Sequence, residues 1–477
     1  MRRHANLIGG SWASGEPVPN VNPSDISDVI GEFDRASRAQ AEEAVAAARA
    51  AQPAWAETPV QTRADILQRA SIEILARADE LAELLAREEG KTLREARGEV
   101  TRAGHIFNFF AGECVRIRGD ALPSVRDKVD VMVTRDPVGV VSLITPWNFP
   151  IAIPAWKTAP ALAFGNSVIL KPAELTCASA WHLADILVRA GVPAGVFNLV
   201  NGRGSELGDV LIGDGVDAIS FTGSTGVGRN IARQAIDRNA KIQMEMGGKN
   251  ALVVLDDADL DVAIQCALDG AFFATGQRCT ASSRLIVTDA IHDRFVAGLV
   301  AAMERQVVGD ARAPDTTIGP VVDAKQLATD TDYIDIASKE GATLRAGGRT
   351  VTRDREGFYL EPTLFTDTNS AMRINQEEVF GPVASVIRVR DYGEALAVAN
   401  DVPFGLTAGI CTTSLKHASD FRRKAQAGMV MVNLPTAGVD YHVPFGGRKA
   451  SSYGPREQGF AAIEFYTSMK TAYVNAG

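Results

Sequence analysis

The chain has 477 residues, of which 46% are hydrophobic and 22% are charged, and its formal net charge is -9. Its length exceeds that of one ordinary domain, so this balance predicts a globular protein with two or more domains and a large core. The acidic balance and the absence of a long lysine and arginine run argue against nucleic-acid and membrane-surface binding, and we expect a small-molecule partner.

No apolar stretch is long enough for a membrane span or for the core of a secretory signal, so we expect a cytoplasmic protein. The five cysteines lie at wide spacings without a C-x-x-C pair, which argues against a disulfide framework and structural zinc. Residues 256–261 begin like a calcium loop but lack its glycine and final glutamate. We therefore predict a helix start there and no metal.

Apolar residues recur at helical spacing from residue 38 to 100 and predict a set of amphipathic helices. After a charged stretch at 116–136, short apolar runs alternate with helical segments. Buried strands are predicted at 138–145, 167–170, 196–200, 218–221 and 250–255, with a helix at 176–190 capped by Thr176. This alternation predicts a parallel sheet with helices on its faces, which binds ligands at the carboxyl ends of its strands.

A second α/β region follows residue 255. Its predicted strands are 283–287, 383–389, 409–412 and 429–433. Near the end of the sequence, residues 460–474 show partial alternation of aromatic and β-branched side chains. We predict a strand there that pairs outside its own domain.

Two glycine-rich segments are candidates for a phosphate-binding turn. Residues 202–208 resemble a dinucleotide fingerprint, but the last glycine is one residue too far away. Residues 221–228 fit better because they follow a predicted strand and open a predicted helix, where backbone N–H groups favour a diphosphate. A plain strand-to-helix turn explains the same residues.

Cys279 is the cysteine whose neighbours suggest reactivity. It lies among small and polar residues after Gly276, and the adjacent Arg278 would favour the thiolate. A buried, inert cysteine is the common alternative. Glu245 stands between two methionines at the end of a predicted strand, where burial would raise its pKa towards that of a working base.

Asn148 lies in the segment 146–150, where its amide is flanked by aromatic residues and prolines. Taken alone, the segments around Cys279, Glu245 and Asn148 are each compatible with a turn. Together they supply a nucleophile, a base and an oxyanion donor.

Five segments resemble the aldehyde dehydrogenase superfamily, and the resemblance covers essentially the whole chain. They are P-W-N-F-P at 146–150, K-P-A-E at 171–174, E-M-G-G-K at 245–249, the cysteine turn at 276–284 and E-V-F-G-P at 378–382. The resemblance implies an α/β fold and a homodimer or homotetramer. The implied parts are a Rossmann-like parallel-sheet cofactor domain at 1–115 and 137–247, a catalytic α/β domain at 248–447, and a small β oligomerisation arm at 116–136 and 455–477.

The resemblance implies that Cys279 attacks the aldehyde to form a thiohemiacetal, while the Asn148 side chain and the Cys279 backbone N–H hold the oxyanion. Hydride transfer leaves a thioester, and Glu245 activates the water that hydrolyses it. Lys157 and Glu457 resemble groups that assist this proton removal. Members that acylate coenzyme A need no such carboxylate, so Glu245 favours a free acid. A non-enzymatic protein on this fold is the other alternative, which the joint presence of nucleophile, base and oxyanion donor disfavours.

Residues 446–457 depart from the family pattern G-G-x-K-x-S-G-x-G-R-E. Ser452 replaces a glycine, and Pro455 adds one residue before Glu457. The distance of Glu457 from the site is therefore left open.

The implied cofactor is NAD, with NADP accepted if Glu174 rotates away. Lys171 and Glu174 resemble the adenosine-ribose contacts, where a carboxylate accepts a bond from the 2′-hydroxyl and repels a 2′-phosphate. Gly223 and Ser224 resemble the diphosphate turn. The complete set of implied cofactor residues is Thr145, Pro146, Trp147, Lys171, Glu174, Phe221, Gly223, Ser224, Gly247, Glu378 and Phe380.

Phe149, Ile153 and Trp156 have the spacing of one helix face and, by resemblance, line the substrate tunnel, with ordinary core packing as the alternative. Arg278 and Thr280 flank the nucleophile. Residues 433–447 resemble a subgroup that oxidises α-ketoglutaric semialdehyde (2,5-dioxopentanoate), and Arg278 would then anchor the distal carboxylate. Succinic, aromatic and other carboxylate-bearing semialdehydes stay open as substrates.

Overall fold

The structure is a computed structural model that describes residues 3–475 and 477. Residues 1 and 2 of the predicted cofactor domain and residue 476 of the predicted C-terminal segment lie outside the described residues. The helices, in chain order, are α1 (Arg38–Ala56), α2 (Val60–Ala76), α3 (Ala78–Glu89), α4 (Leu93–Glu113), α5 (Ala152–Ala163), α6 (Cys177–Ala190), α7 (Gly204–Leu211), α8 (Thr225–Ile236), α9 (Leu260–Phe272), α10 (Asp289–Met303), α11 (Ala324–Lys339), α12 (Arg373–Gln376), α13 (Tyr392–Asn400), α14 (Leu415–Lys424) and α15 (Ile463–Tyr466).

The strands belong to two large sheets and several small ones. In chain order they are β1 (Arg3–His4), β2 (Asn6–Ile8), β3 (Ser11–Ala13), β4 (Glu16–Asn22), β5 (Asp25–Arg35), β6 (Asp120–Pro123), β7 (Val129–Pro137), β8 (Val140–Ile144), β9 (Ser167–Lys171), β10 (Phe197–Leu199), β11 (Ala218–Thr222), β12 (Lys241–Glu245), β13 (Ala251–Val254), β14 (Arg284–Thr288), β15 (Thr343–Ala346), β16 (Thr363–Thr368), β17 (Val383–Val389), β18 (Phe404–Gly405), β19 (Thr407–Cys411), β20 (Met429–Val432), β21 (Arg448–Lys449), β22 (Ser452–Tyr453) and β23 (Thr467–Asn475).

The first large sheet has eight strands in the order β22-β12-β11-β8-β9-β10-β2-β3. Its strands from β12 to β10 run parallel to one another. The strands predicted at 138–145, 167–170, 196–200 and 218–221 all lie here. β8 and β9 are buried along nearly their whole length, as expected for strands covered on both faces by helices.

The second large sheet has seven strands in the order β15-β16-β17-β14-β13-β19-β20. All its neighbours run parallel except β15 and β16. The strand predicted at 250–255 is its β13, and the four strands predicted beyond residue 255 are β14, β17, β19 and β20. The two parallel sheets confirm the predicted α/β fold class.

A third, three-stranded sheet forms a small β arm in the order β23-β7-β6. β23 pairs with β7 in antiparallel register along its full length. The prediction that this strand begins at residue 460 is wrong, because residues 459–466 form a 3-10 turn and α15. Phe465 and Tyr466 are buried in the core there, which favours helix over strand up to the point where β23 starts.

Helix α6 begins one residue after Thr176, which occupies the predicted N-cap position but bonds no backbone N–H with its side chain. Glu88 of α3 takes that role, since its carboxylate accepts bonds from the N–H groups of Ala178 and Ser179. The helix ends as predicted at Gly191, whose φ of 98° lies in the left-handed region. Within residues 3–475 and 477, no helix is long and apolar enough to cross a membrane.

Helix α4 carries charged side chains towards the site. Thr92 and Glu95 form a capping box at its start, in which each side chain bonds the backbone N–H of the other. Val100, Phe107 and Phe110 on its apolar face are fully buried in the core. This packing fixes the rotation of α4 and hence the direction of its charged residues.

Candidate active site

Cys279 and Glu245 both line a cavity of about 260 Å³. Phe149, the neighbour of Asn148, lines it as well, and helix α4 and the loop at 437–445 supply much of the remaining wall. Three segments that are far apart in the sequence therefore meet at one cavity.

The turn before Cys279 has an unusual backbone. Ala274, Thr275 and Gly276 have φ angles of 49°, 55° and 67°, in the left-handed region. A Cβ atom on Gly276 would lie 2.2 Å from the backbone carbonyl oxygen of Gly381, so this position requires glycine. The Asn250 side-chain amide donates to the Cys279 carbonyl at 2.7 Å and fixes the far side of the turn.

The thiol of Cys279 is half-buried and faces the cavity. Burial raises its pKa, and Glu378 and Glu245 raise it further, while Arg278 lowers it only in part. Arg278 therefore acts in the predicted direction and favours the thiolate, but the net shift of the Cys279 pKa is upward. Burial and two nearby carboxylates outweigh one guanidinium.

Asn148 follows β8 and is 3% exposed. Its side-chain nitrogen donates to the Gln277 carbonyl at 2.9 Å, so the amide lies against the turn that carries Cys279. An amide nitrogen carries two hydrogens, and among the described residues only one of them has an acceptor. The second hydrogen is therefore available for a further hydrogen bond.

A buried ion-pair network holds the Asn148 turn and the Cys279 turn together. Lys91 Nζ donates to Glu99 at 2.7 Å and to the Asn148 carbonyl at 2.7 Å. The other Glu99 oxygen accepts two backbone N–H groups at the start of α5. Glu95 accepts the N–H of Ala274 at 2.7 Å. Sequence reasoning missed this network. The four-residue spacing of Glu95 and Glu99 was a signal that they share one side of a helix, but Lys91 precedes α4 and gave no such signal.

Glu245 is the last residue of β12 and is 2% exposed. Burial and the nearby Glu457 raise its pKa well above the ordinary value, while Ser452, Lys157 and Arg456 lower it. This confirms the predicted direction of the shift. A carboxyl group with a raised pKa is a stronger base than an ordinary surface carboxylate.

Lys157 and Glu457 form a buried ion pair behind Glu245. Lys157 Nζ also donates to the Ser220 hydroxyl at 2.7 Å. The additional residue Pro455 therefore does not remove Glu457 from the site, and this answers the question that the sequence left open.

The predicted cofactor residues lie mainly along one edge of the eight-stranded sheet. Thr145, Pro146 and Trp147 follow β8, Lys171 ends β9, and Phe221 lies near the end of β11 with Gly223 after it, while Gly247 follows β12. Helix α8 starts after the exposed Ser224, and no side chain caps its first turn. Its open N–H groups fit an anionic diphosphate.

Glu378 and Phe380 approach this edge from the other sheet. Glu378 accepts the Gly248 N–H at 2.8 Å, and burial raises the pKa of its carboxyl to about 7. The ring of Phe380 meets that of Trp147 edge to face, with centroids 5.4 Å apart. Gly247 has no room for a side chain, because a Cβ atom there would lie 2.0 Å from Glu378.

Glu174 is paired with a residue that sequence reasoning did not single out. Its carboxylate lies 3.0 Å from the guanidinium of Arg35, at the end of β5. Burial lowers the pKa of the neighbouring Lys171 to about 8, and its Nζ donates to the Pro172 carbonyl. A cation and an anion therefore stand together at the predicted ribose end of the cleft.

Phe149, Ile153 and Trp156 all line the cavity, as does Thr280. The prediction that the first three share one helix face is wrong for Phe149, which precedes α5. The three converge because the turn before α5 folds towards the same side as the helix.

Arg278 also lines the cavity, but part of its guanidinium is already engaged. One terminal nitrogen donates to the carbonyls of Asp269 and Gly270 at 2.6 and 3.0 Å, near the end of α9. Its Nε has no acceptor among the described residues. Arg94 and Arg102 of α4 line the same cavity, and Arg94 is exposed at its mouth, with no ion pair to any described residue.

No group of three or more histidine, cysteine, aspartate or glutamate side chains among the described residues is placed to hold a metal ion. The acidic segment at 256–261 forms the start of α9, as predicted. Asp259 caps that helix by accepting the N–H groups of Asp261 and Val262.

A thiol, a buried carboxylate and an amide beside a dinucleotide-type cleft are the arrangement of a cysteine-dependent oxidoreductase. The pattern of the aldehyde dehydrogenase family matches residues 12–472. Alpha-ketoglutaric semialdehyde dehydrogenase of Bacillus subtilis is 43% identical over 477 residues, covering 99% of this chain and 98% of that protein. Alpha-ketoglutarate semialdehyde dehydrogenase of Haloferax volcanii is 45% identical and covers 98% of both chains.

Among solved structures, betaine aldehyde dehydrogenase of Staphylococcus aureus in complex with NAD+ has a TM-score of 0.97 at 34% identity, covering 99% of this chain and 95% of that chain. The chain belongs to the aldehyde dehydrogenase family. This confirms the predicted family and its enzymatic class.

The backbone of the cysteine turn generates a prediction about stability. Gly276→Ala should destabilise the protein by about 2 kcal/mol more than Gly341→Ala. Both glycines have positive φ, but only the Cβ at residue 276 meets backbone atoms, whereas the one at residue 341 meets nothing within 4 Å. The midpoint of thermal unfolding measures the difference, and equal midpoints for the two variants would contradict the requirement for glycine at 276.

Proposed function

We propose that the enzyme oxidises α-ketoglutaric semialdehyde (2,5-dioxopentanoate) to the dicarboxylic acid, with NAD as cofactor and NADP accepted. The observation that carries the proposal is the shared cavity of Cys279 and Glu245, with the Asn148 amide against the cysteine turn. The substrate follows the names of the relatives from Bacillus subtilis and Haloferax volcanii. Succinic and aromatic semialdehydes are the alternatives.

The first half of the proposed reaction forms a covalent intermediate on Cys279. The sulfur attacks the aldehyde carbon, and the carbonyl oxygen becomes an oxyanion bound by the Asn148 amide and the Cys279 backbone N–H. Donors of this kind lower a barrier by about 3 kcal/mol or more each. The thiol proton is released to solvent water as the sulfur attacks, so this half of the reaction does not use Glu245. Bound NAD, its nicotinamide ribose held by Glu378 and Phe380, would supply the hydride acceptor, and loss of hydride from the thiohemiacetal carbon leaves a thioester on Cys279.

The second half releases the acid. Glu245 takes a proton from water, whose oxygen attacks the thioester carbon. The C–S bond then breaks to release the acid and the Cys279 thiolate, which regains a proton from solvent water. The buried pair of Lys157 and Glu457 lies behind Glu245 and provides groups to which the proton is passed. A base for water favours hydrolysis over transfer to coenzyme A.

The cofactor proposal rests on the fit of the cleft. The uncapped start of α8 beside Gly223 and Ser224 suits the diphosphate, and Glu378 with Phe380 suits the nicotinamide ribose. At the adenosine ribose, Glu174 suits the 2′-hydroxyl of NAD. Arg35, paired with Glu174, gives a 2′-phosphate a cation as well, which supports acceptance of NADP.

The substrate proposal requires a cation for the distal carboxylate. We assign this role to Arg278, whose Nε lacks an acceptor and which lines the cavity near Cys279. Phe149, Ile153 and Trp156 would enclose the carbon chain. Arg94 at the mouth would attract the anion rather than hold it.

The β arm supports assembly of two or four copies. Met469 and Tyr473 on β23 and Leu122 on β6 are 68%, 60% and 51% exposed, and they share one face of the arm because Tyr473 and Leu122 both lie opposite Val131. We infer that a second copy covers this face. The domain limits predicted from the sequence and the cytoplasmic location are part of the same proposal.

The mechanism predicts different kinetics for two variants. Cys279→Ala should abolish NADH formation, because no thioester forms. Glu245→Gln should give a burst of about one NADH per site, followed by a steady state about 100-fold or more slower, because only deacylation needs the base. Stopped-flow absorbance measures both phases.

The control is Cys266→Ala, which replaces a buried cysteine away from the cavity and should keep activity. An unchanged steady state in Glu245→Gln, or turnover that depends on coenzyme A, would reject this mechanism.

The proposed role of Arg278 as substrate anchor predicts a loss of catalytic efficiency that is selective for the charged substrate. Arg278→Gln should lower kcat/KM for α-ketoglutaric semialdehyde at least about 10-fold relative to a neutral aldehyde of equal length, because one charged hydrogen bond is lost. Arg94→Gln, which removes a charge at the mouth, is the matched control and should change the ratio only a few-fold. Equal losses for both aldehydes would mean that Arg278 supports the cysteine turn and binds no carboxylate.

The proposed interface on the β arm predicts that substitutions there change the oligomeric state. Replacing Met469 and Tyr473 with lysine should produce monomers in analytical ultracentrifugation, because charge would be buried at the interface. Leu415→Lys is the control, since Leu415 is 81% exposed on α14 and outside the arm. Oligomers that survive the double substitution would show that copies meet elsewhere.

A further inference from the structure

Ser452 stands where the family pattern has glycine, and strand pairing brings it next to Glu245. In the antiparallel pair of β12 and β22, the residue directly opposite Glu245 is Ser452. Opposite residues in such a pair project from the same face, with Cβ atoms about 5 Å apart. The serine side chain is therefore within reach of the carboxylate, and a glycine has no side chain to offer.

The Ser452 hydroxyl is oriented by a bond on its other side. It accepts the backbone N–H of Gly447 at 2.6 Å and donates to Glu245 Oε2 at 2.5 Å. A hydroxyl has one hydrogen and two acceptor lone pairs, so occupation of its oxygen by an N–H directs the hydrogen to the carboxylate. Bonds linked in this way strengthen one another.

We propose that Ser452 is a positioning residue that holds the Glu245 carboxylate in its ionised form and in a fixed orientation for deacylation. The inference rests on the proposed role of Glu245 as the base for water. Ser452 does not touch the reacting atoms and acts only through Glu245.

The surroundings of Glu245 make this hydrogen bond important. The charged and titratable groups that face it are Glu457, Lys157 and Arg456, with Cys279 across the cavity. On the other side, a Cβ atom at Gly446 would lie 2.7 Å from Glu245 Oε1, so backbone encloses that oxygen. Among the described residues, Ser452 is the side chain that donates a hydrogen bond to the carboxylate. It offsets part of the pKa increase that burial and Glu457 produce.

The pH dependence of deacylation tests the inference. Glu245 must be ionised to accept a proton, so the rate falls as pH drops through its pKa. Without the serine hydroxyl that pKa rises. The acid limb of the pH profile, where the rate falls at low pH, should therefore shift to higher pH by about one unit in Ser452→Gly. Ser452→Thr keeps a hydroxyl and should restore the wild-type limb. The readout is the pH profile of the steady-state kcat and of single-turnover deacylation after the NADH burst.

A matched control is available at the adjacent residue. Ser451 is buried, and its hydroxyl accepts the Gly405 N–H, away from Glu245. Ser451→Ala should leave the acid limb where it is, even if it lowers the thermal stability. A purely structural effect of Ser452→Gly would lower the unfolding midpoint without moving the limb.

The outcomes separate this inference from the proposed function. If Glu245→Gln slows deacylation but the acid limb of Ser452→Gly coincides with that of the wild type, the role of Ser452 is refuted and that of Glu245 stands. If Glu245→Gln deacylates at the wild-type rate, the proposed base is refuted first. A shifted limb in both Ser452→Gly and Ser452→Thr would also overturn the role of the hydroxyl.

Discussion

The geometry of the site depends on a buried ion pair between Lys91 and Glu99. Removing two charges from water costs several kcal/mol per ion, and good geometry with further hydrogen bonds is required to repay it. Here Lys91 also bonds the Asn148 carbonyl, and Glu99 also bonds the start of α5. Because Glu95 of α4 accepts the N–H of Ala274, α4 fixes the Asn148 turn and the Cys279 turn, which carry the proposed oxyanion donor and nucleophile, against each other. A substitution that breaks this pair would leave a buried charge uncompensated in the wall of the cavity.

The low polarity of the cavity acts on every titratable group in it. Burial raises the pKa of Glu245, which makes it a better base, and raises that of Cys279, which keeps it a thiol. The difference between the two lies in their partners. The Ser452 hydroxyl, Lys157 and Arg456 lower the pKa of Glu245, whereas Arg278 and a backbone hydrogen bond lower that of Cys279 against two carboxylates. Single donors and charges thus change how far burial shifts each group.

Local sequence predicted those features that depend on near neighbours. Apolar runs predicted most of the parallel strands of both sheets, and Gly276 predicted a turn before Cys279. Prediction failed where a distant side chain decided the outcome. Thr176 was expected to cap α6, but Glu88 satisfies those N–H groups. Residues 459–466 had a strand-like pattern, but burial of Phe465 and Tyr466 in the core holds them in helical turns.

By itself, the sequence determined the fold class and the family, and it singled out Cys279, Glu245 and Asn148 as the proposed catalytic residues, because these follow from periodicity and from short motifs. Only the tertiary structure decided what surrounds them. Because Pro455 adds a residue before Glu457, the ion pair between Glu457 and Lys157 could not be predicted from the sequence. Nor did the serine at 452 reveal that strand pairing sets it opposite Glu245. The physical reason is that hydrogen bonding, burial and charge act over a few ångströms in space, and packing brings together residues that the sequence separates.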